Sequence, residues 1–146
     1  MKTQLKLIVL LAAMPFIFLA CSKHDGLATT MVNTYTTSIA TKYGSLTSGN
    51  FVSTGGIKGK GTAIMAVHVT TDSTFCTVWL TSSTWSLTVK EACSRDMSDR
   101  TGSWHIVGGT GLYSVAHGGG RLLMKFPPDV PSGVVVIENY TGIVFL

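Results

Sequence analysis

The sequence predicts an all-β domain, a small antiparallel β-barrel of about eight strands, on three observations. From Thr29 onward the chain is rich in Thr, Ser, Val and Gly, and no window repeats its apolar residues at the 3.6-residue period of a helix. Polar and apolar side chains instead alternate over short runs, as they do in a sheet with one buried and one wet face. These runs recur at short spacing between turn residues, the pattern of a sandwich or a barrel. A barrel also removes the exposed edges that such apolar strands would otherwise present. At 146 residues there is room for one domain.

The chain opens with a segment outside that domain. "MKTQLK" carries Lys2 and Lys6, and "LIVLLAAMPFIFLA" then runs fourteen residues without a charge, interrupted by Pro15. That is shorter than the roughly 20 residues a membrane-crossing helix needs. A basic start, an apolar run and a small final residue are the parts of an export signal, so residues 1–20 read as a cleaved signal peptide. The segment ends "FLAC", and Ala20 followed by Cys21 resembles the lipobox of bacterial lipoproteins, with Phe18 where Leu is usual. The resemblance implies cleavage before Cys21 and a diacylglyceryl thioether on its sulfur, joined in many bacteria by an acyl chain on its amine. Two or three acyl chains anchor a protein firmly, whereas one holds only marginally. By the sorting rule of enteric bacteria, Ser22 after the cysteine favours the outer membrane. The expected location is thus the bacterial cell envelope, with the membrane as partner through the lipid. An ordinary cleaved signal would instead make the protein secreted and Cys21 a spare thiol. Residues 21–30 read as a lipidated polar tether and 31–146 as the barrel.

Within the barrel region, "MVNTYTTSIATKY" (31–43) has the Thr and Tyr content of a strand. "GTAIMAVHVTT" (61–71) places Ala63, Met65, Val67 and Val69 on one face, with Ile64, Ala66, His68 and Thr70 on the other. "STFCTVWLT" and "TWSLTVKEA", joined by two serines, suggest a hairpin. In the second, Trp85, Leu87 and Val89 alternate with Ser86, Thr88 and Lys90. "GSWHIV" and "RLLMKF" flank a glycine-rich stretch, and "GVVVIENYTGIVFL" closes the chain after the proline loop "PPDVPSG".

Loss of the signal removes Lys2 and Lys6 and leaves nine basic residues against seven acidic, a mature charge of +2 with no basic cluster. That excludes the electrostatic footprint of a nucleic-acid-binding protein. With Cys21 lipidated, Cys76 and Cys93 remain. An even pair in an oxidising compartment is most simply a disulfide, worth about 3 kcal/mol for a loop of this size. Directly opposed strands would then need their turn at Thr84 and Trp85, and a longer "TSST" loop would pair Leu80 with Trp85, so a bulge or a bridge between non-neighbouring strands is the other route.

The stretch "IVGGTGLYSVAHGGGRLLM" (106–124) holds six glycines. It has no Gly-Lys-Ser/Thr of a P-loop and no GxSxG elbow, and Ser114 stands where a dinucleotide fingerprint needs its third glycine. Three successive glycines at 118–120 would each destabilise a following helix by about 1 kcal/mol. A structural role fits instead. Gly108, Gly109 and Gly111 suit the positive φ of tight turns, and Gly118 to Gly120 suit a bulge or close packing beneath a large side chain such as Tyr113 or Trp104.

The run Trp104 to Gly120, with Gly108, Gly109, Thr110, Gly111, Tyr113, Ala116, Gly118 and Gly120 in matching places, resembles the glycine signature of the allene oxide cyclase and dirigent barrel superfamily. The closing Tyr140–Val144 resembles the Thr-Gly pair of its last strand. The resemblance implies an eight-stranded antiparallel barrel with an apolar central cavity. Plant relatives guide cyclisation or radical coupling of apolar molecules there. It carries architecture rather than chemistry, and no catalytic residue of the plant enzymes maps onto this chain.

A candidate ligand pocket is Trp104, His105, Tyr113, Arg121 and Glu138. If His105, Arg121 or Glu138 points inward, it can orient a ligand carboxylate or act as acid or base; facing solvent, it does neither. His68 reads as a packed histidine, and His24, His68, His105 and His117 lack zinc spacing. Ser94, Asp96 and His105 supply the letters of a triad without a nucleophile motif, and Asn139-Tyr-Thr141 spells a glycosylation sequon inside a strand. Trp79, Trp85, Tyr113 and Phe126 read as core or as the lining of an apolar pocket. No cofactor, metal or catalytic residue is assigned, and nothing fixes an oligomeric state. Three functions follow: a lipoprotein that binds an apolar small molecule in its barrel, an envelope structural or interaction protein with a filled barrel, and a cyclase- or isomerase-like enzyme. The absence of a convergent acid–base group in the sequence weighs against the last. A cavity of roughly 300 Å³ or more would favour the first, and a barrel filled by its own side chains the second.

Overall fold

The structure, a computed structural model, describes residues 25–41, 44–94 and 100–146. The expected signal segment, Cys21, Ser22 and Asp96 lie outside these residues. Eight strands follow one another: β1 (Leu27–Thr41), β2 (Gly44–Gly55), β3 (Gly59–Val69), β4 (Ser73–Thr81), β5 (Ser86–Ser94), β6 (Thr101–Gly109), β7 (His117–Lys125) and β8 (Val136–Phe145). Each pairs antiparallel with the next, and β8 returns to β1, setting Leu27 opposite Val144 and Tyr35 opposite Val136. The sheet is a closed barrel, so it has no edge strand to protect.

The alternation read from the sequence is the alternation of burial. Trp85, Leu87 and Val89 are buried, as are Ala63 and Met65, whereas Lys90, Ile64 and His68 are exposed. One boundary and one strand differ. The barrel begins at Leu27 rather than 31, because the end of the presumed tether pairs with β8 and buries Thr29. Strand β2 is not announced by its sequence: its inward positions are Thr47, Gly49, Phe51 and Ser53, with one large apolar side chain among them. Backbone pairing on both sides makes it a strand. Trp79 is 42% exposed on the outer wall rather than part of the core, and His68 is exposed rather than packed.

The up-and-down order sorts the connections between two ends. At the terminal end lie the start of β1, the finish of β8, and segments 56–58, 82–85 and 110–116; at the far end lie segments 70–72 and 126–135. Aromatic side chains close the terminal end. Trp85 meets Tyr113 edge-on at 4.9 Å between ring centroids and Phe51 at 5.4 Å. Ile57, fully buried, sits in the same plug, held by Ser53 Oγ donating to its carbonyl at 2.7 Å. Lys58 N–H donates to Tyr113 Oη at 2.9 Å and ties the 56–58 turn to the glycine-rich segment.

That segment is a structural corner, as expected, but with different parts. It forms a single 3₁₀ turn at Gly111–Tyr113. Of the three glycines expected at positive φ, only Gly111 has it (+63°), and a Cβ there would lie 2.5 Å from the Thr84 carbonyl oxygen. The register shifts fall at Thr36 in β1 and Val107 in β6, not in Gly118–Gly120, which pairs regularly with β8. Trp104 covers Gly142 rather than the triplet: a Cβ on Gly142 would come within 2.8 Å of the indole.

The expected disulfide is not formed; Cys76 and Cys93 are both buried free thiols. The register gives the reason. Leu80 pairs with Leu87 rather than Trp85, so Cys76 lies opposite Glu91 and Cys93 opposite Thr74. The cysteines are diagonal neighbours, about 7–8 Å apart in such a ladder, at the limit of what a bridge tolerates.

Candidate functional site

The barrel lumen contains a polar cluster that strand periodicity assembles from four strands. Asn33 and Tyr35 face inward two residues apart on β1, and Glu138 and Tyr140 do so on β8. The β1–β8 register puts Asn33 opposite Glu138 and Tyr140 opposite Met31. Glu91 on β5 and Cys76 on β4 complete the set from across the barrel.

Tyr140 Oη is the hub. It receives Asn33 Nδ2–H at 2.9 Å, lies 2.6 Å from Glu138 Oε2, and contacts Glu91 Oε1 across the lumen. Asn33 Nδ2 also donates to Tyr35 Oη at 3.2 Å. A phenol has one hydrogen and two acceptor lone pairs. With Asn33 filling one lone pair, Tyr140 can donate to only one carboxylate. The other carboxyl group must donate to Tyr140, so the pair holds a proton.

Electrostatics agree with that count. Burial raises the Glu138 carboxyl to about 7, an effect that hydrogen bonds from Tyr140, Tyr35 and Asn33 partly offset. Burial, and then the charge of Glu138, hold Glu91 well above the ordinary carboxylate range. Both carboxyls are thus held toward the protonated form, and the phenol's hydrogen count leaves a proton shared between them. The Tyr35 and Tyr140 phenols are pushed up by burial and by both carboxylates. Burial pushes Cys76 up strongly and Cys93 up to about 12, with Glu91 and Glu138 adding to both. These thiols are therefore poor nucleophiles. Among the described residues, Asn33 Oδ1 and Glu91 Oε2 are buried oxygens without a hydrogen-bond partner.

Toward the far end the cluster adjoins a cavity of about 60 Å³, lined chiefly by Met65, Val67, Cys76, Cys93, Met124 and Phe126, with Glu138 on its wall. It has room for a few waters and falls far below the roughly 300 Å³ of a small-molecule site. The larger recess, about 590 Å³ beside Leu46, Ala66, His68, Phe75 and Lys90, lies on the outer wall and not in the lumen.

Of the five pocket residues expected from the sequence, two belong here. Glu138 is at the centre, and Trp104 packs edge-on against Tyr140 at 5.9 Å while its Nε1–H donates to the Thr141 carbonyl at 3.2 Å. Tyr113 is buried in the plug at the terminal end. His105 and Arg121 are exposed on the outer wall, opposite Lys90 and Ser103 respectively, so neither can serve a lumenal ligand. An outward His105 also removes the residual triad reading. Sequence reasoning missed Asn33, Tyr35, Glu91 and Tyr140. The signal was present in β5, where Glu91 shares the parity of Leu87, Val89 and Cys93, and in β8, where Glu138 and Tyr140 share that of Val136 and Val144.

Fold and site define a closed eight-stranded barrel whose lumen is crossed by a carboxyl–phenol–carboxylate chain. No protein-family model, curated protein or solved structure matches the chain.

Proposed function

We propose that this protein is an exported, lipid-anchored component of the bacterial cell envelope, a structural or interaction protein whose barrel carries no small-molecule ligand. The small lumenal cavity carries this reading: among the described residues, the one beside the polar cluster is about 60 Å³, as in a barrel filled by its own side chains. The anchor is supported by the lipobox-like "FLAC" ending at Cys21, and the outer membrane by Ser22. The glycine run from Trp104 to Gly120 supports kinship with the allene oxide cyclase and dirigent barrels. The test is native mass spectrometry of a Cys21-lacking domain purified gently from its host. A clean apo mass, unchanged after exposure to envelope lipid extracts, is expected; a co-purifying small molecule lost on denaturation overturns the filled-barrel reading.

One observation favours a second reading. The Glu91–Tyr140–Glu138 chain borders the cavity with a carboxyl poised near neutrality, as acid–base catalysis requires. A cyclase- or isomerase-like enzyme would use it on an apolar substrate entering past Met124 and Phe126. Such a substrate would have to enlarge the cavity several-fold, and its recovery in the same experiment would select this reading.

A further inference from the structure

We infer that the terminal end of the barrel rests on the phospholipid bilayer, with Leu112 and Val115 entering the lipid chains and Lys58 and Lys60 meeting anionic headgroups. The inference rests on the lipid anchor at Cys21 proposed above and adds to it an orientation and a contact surface.

Four observations point the same way. The two most exposed large aliphatic side chains among the described residues, Leu112 at 77% and Val115 at 72%, both project from segment 110–116. Leu27 and Leu146, about half exposed, lie at the same end, because β7 pairs with β8 up to Phe145 and β8 pairs with β1 down to Leu27. A cluster of this kind marks an interaction site rather than ordinary surface.

The segment is also rigid. Tyr113 between Leu112 and Val115 is locked against Trp85 and hydrogen-bonded by Lys58 N–H, and Ala116 N–H donates to the Tyr113 carbonyl. The turn therefore buries one side chain and holds its neighbours outward, exposed among the described residues.

Reach selects the bilayer as occupant. Five residues separate Cys21 from Leu27, and the six Cα–Cα steps between them span at most about 20 Å. An acylated Cys21 thus keeps the terminal end, and not the far end, beside the headgroups. Charge agrees. Among the described residues, Lys58 and Lys60 are exposed at this end against one exposed acid, Asp25, whereas at the far end Lys125 and Arg100 offset Asp72 and Asp129, the last of these paired with Arg100. Basic residues near an anionic surface add attraction to apolar insertion.

The test uses the full lipidated protein, isolated from its host in detergent and inserted into preformed vesicles of equal parts phosphatidylethanolamine and phosphatidylglycerol. Single spin labels are placed by Leu112→Cys at the terminal end, Ile64→Cys on the wall and Val69→Cys at the far end. All three sites are exposed, and the native thiols are buried, so labelling spares fold and specificity. Accessibility to oxygen, concentrated in the membrane, is compared with that to a water-soluble nickel complex. The expected result is a shift toward oxygen at residue 112 alone. An oxygen-rich label at residue 64, a barrel lying on its side, overturns the inference, as does water-like exposure at all three positions. A label at 112 shielded from both reagents also overturns it and assigns the surface to another protein chain. Intact mass of the mature protein separates the two claims: a Cys21 without diacylglyceryl refutes the anchor, and a lipidated Cys21 with a water-exposed residue 112 refutes the orientation alone.

Discussion

Replacing Glu138 by glutamine removes one ionisable group from the lumen while keeping its volume, and the pH dependence of unfolding then reports what that group does. In the folded barrel burial holds Glu138 at about 7, against 4.5 for an ordinary glutamate. The folded state thus binds this proton more tightly than the unfolded chain. The contribution to stability is fully present below about pH 4.5 and is lost as pH rises through about 7. At about 1.4 kcal/mol per unit, this group makes the barrel about 2 to 3 kcal/mol less stable at about pH 8 than at about pH 5. Glu91, raised by burial and by the Glu138 charge, acts in the same direction. The assay is urea unfolding of wild type and Glu138→Gln across that window, followed by tryptophan fluorescence; Trp85 and Trp104 are buried and will report it. Wild type should lose stability with rising pH, and the variant should lose distinctly less, whatever its offset at the acidic limit. A wild-type midpoint that is flat or climbs across the window, or a variant with the same slope, refutes the buried-carboxyl argument.

Three further outcomes are expected. Tyr140→Phe removes the hub from Asn33, Glu91 and Glu138 and should destabilise by about 3 kcal/mol, since it strands buried polar groups; a loss under about 1 kcal/mol in chemical denaturation would show that the cluster is already solvated. Gly111→Ala places a Cβ at φ +63° against the Thr84 carbonyl and should lower stability by about 1–3 kcal/mol, whereas Gly133→Ala, strained in φ but in open space, should lose less. In the native protein Cys76 and Cys93 should resist alkylation near neutral pH and react once urea unfolds the chain, because burial and two carboxyls keep both protonated. Non-reducing mass spectrometry showing a Cys76–Cys93 bridge would overturn that expectation.

The fold class was legible because strands with large inward side chains, such as β5, where Leu87 and Val89 continue the parity of Trp85, carry their period openly. Strand β2 was not, since Thr47, Gly49 and Ser53 fill its inward positions and its pairing is made by backbone on both sides. The site was half legible. Parity places Glu91 and Glu138 indoors once the buried face is known, but only closure reveals that β5 and β8 oppose each other so that Tyr140 can meet both carboxyls. His105 and Arg121 could not be assigned a face because Trp104–Val107 and Leu122–Met124 are each apolar on both parities. The cysteine pair was misread for a related reason: oxidation state follows compartment in general, but a diagonal register depends on where the hairpin turns.

The seam between β1 and β8 has a consequence for how the ring is built. Leu27 lies opposite Val144, so the first and last strands are neighbours, and the covalent gap between them is incidental to the closed shape. The chain is in effect a loop cut at one of several equivalent places. Joining β8 to β1 through a short linker and opening new ends in the 126–135 segment should give the same barrel, because such surface segments tolerate relocated ends. During synthesis the cut matters: β1 has one flank unpaired until β8 emerges, so the ring cannot close before nearly the whole sequence is available. On the export proposed above, a chain that crosses a membrane unfolded would gain from that order, since no partial length of it can complete the barrel on the wrong side.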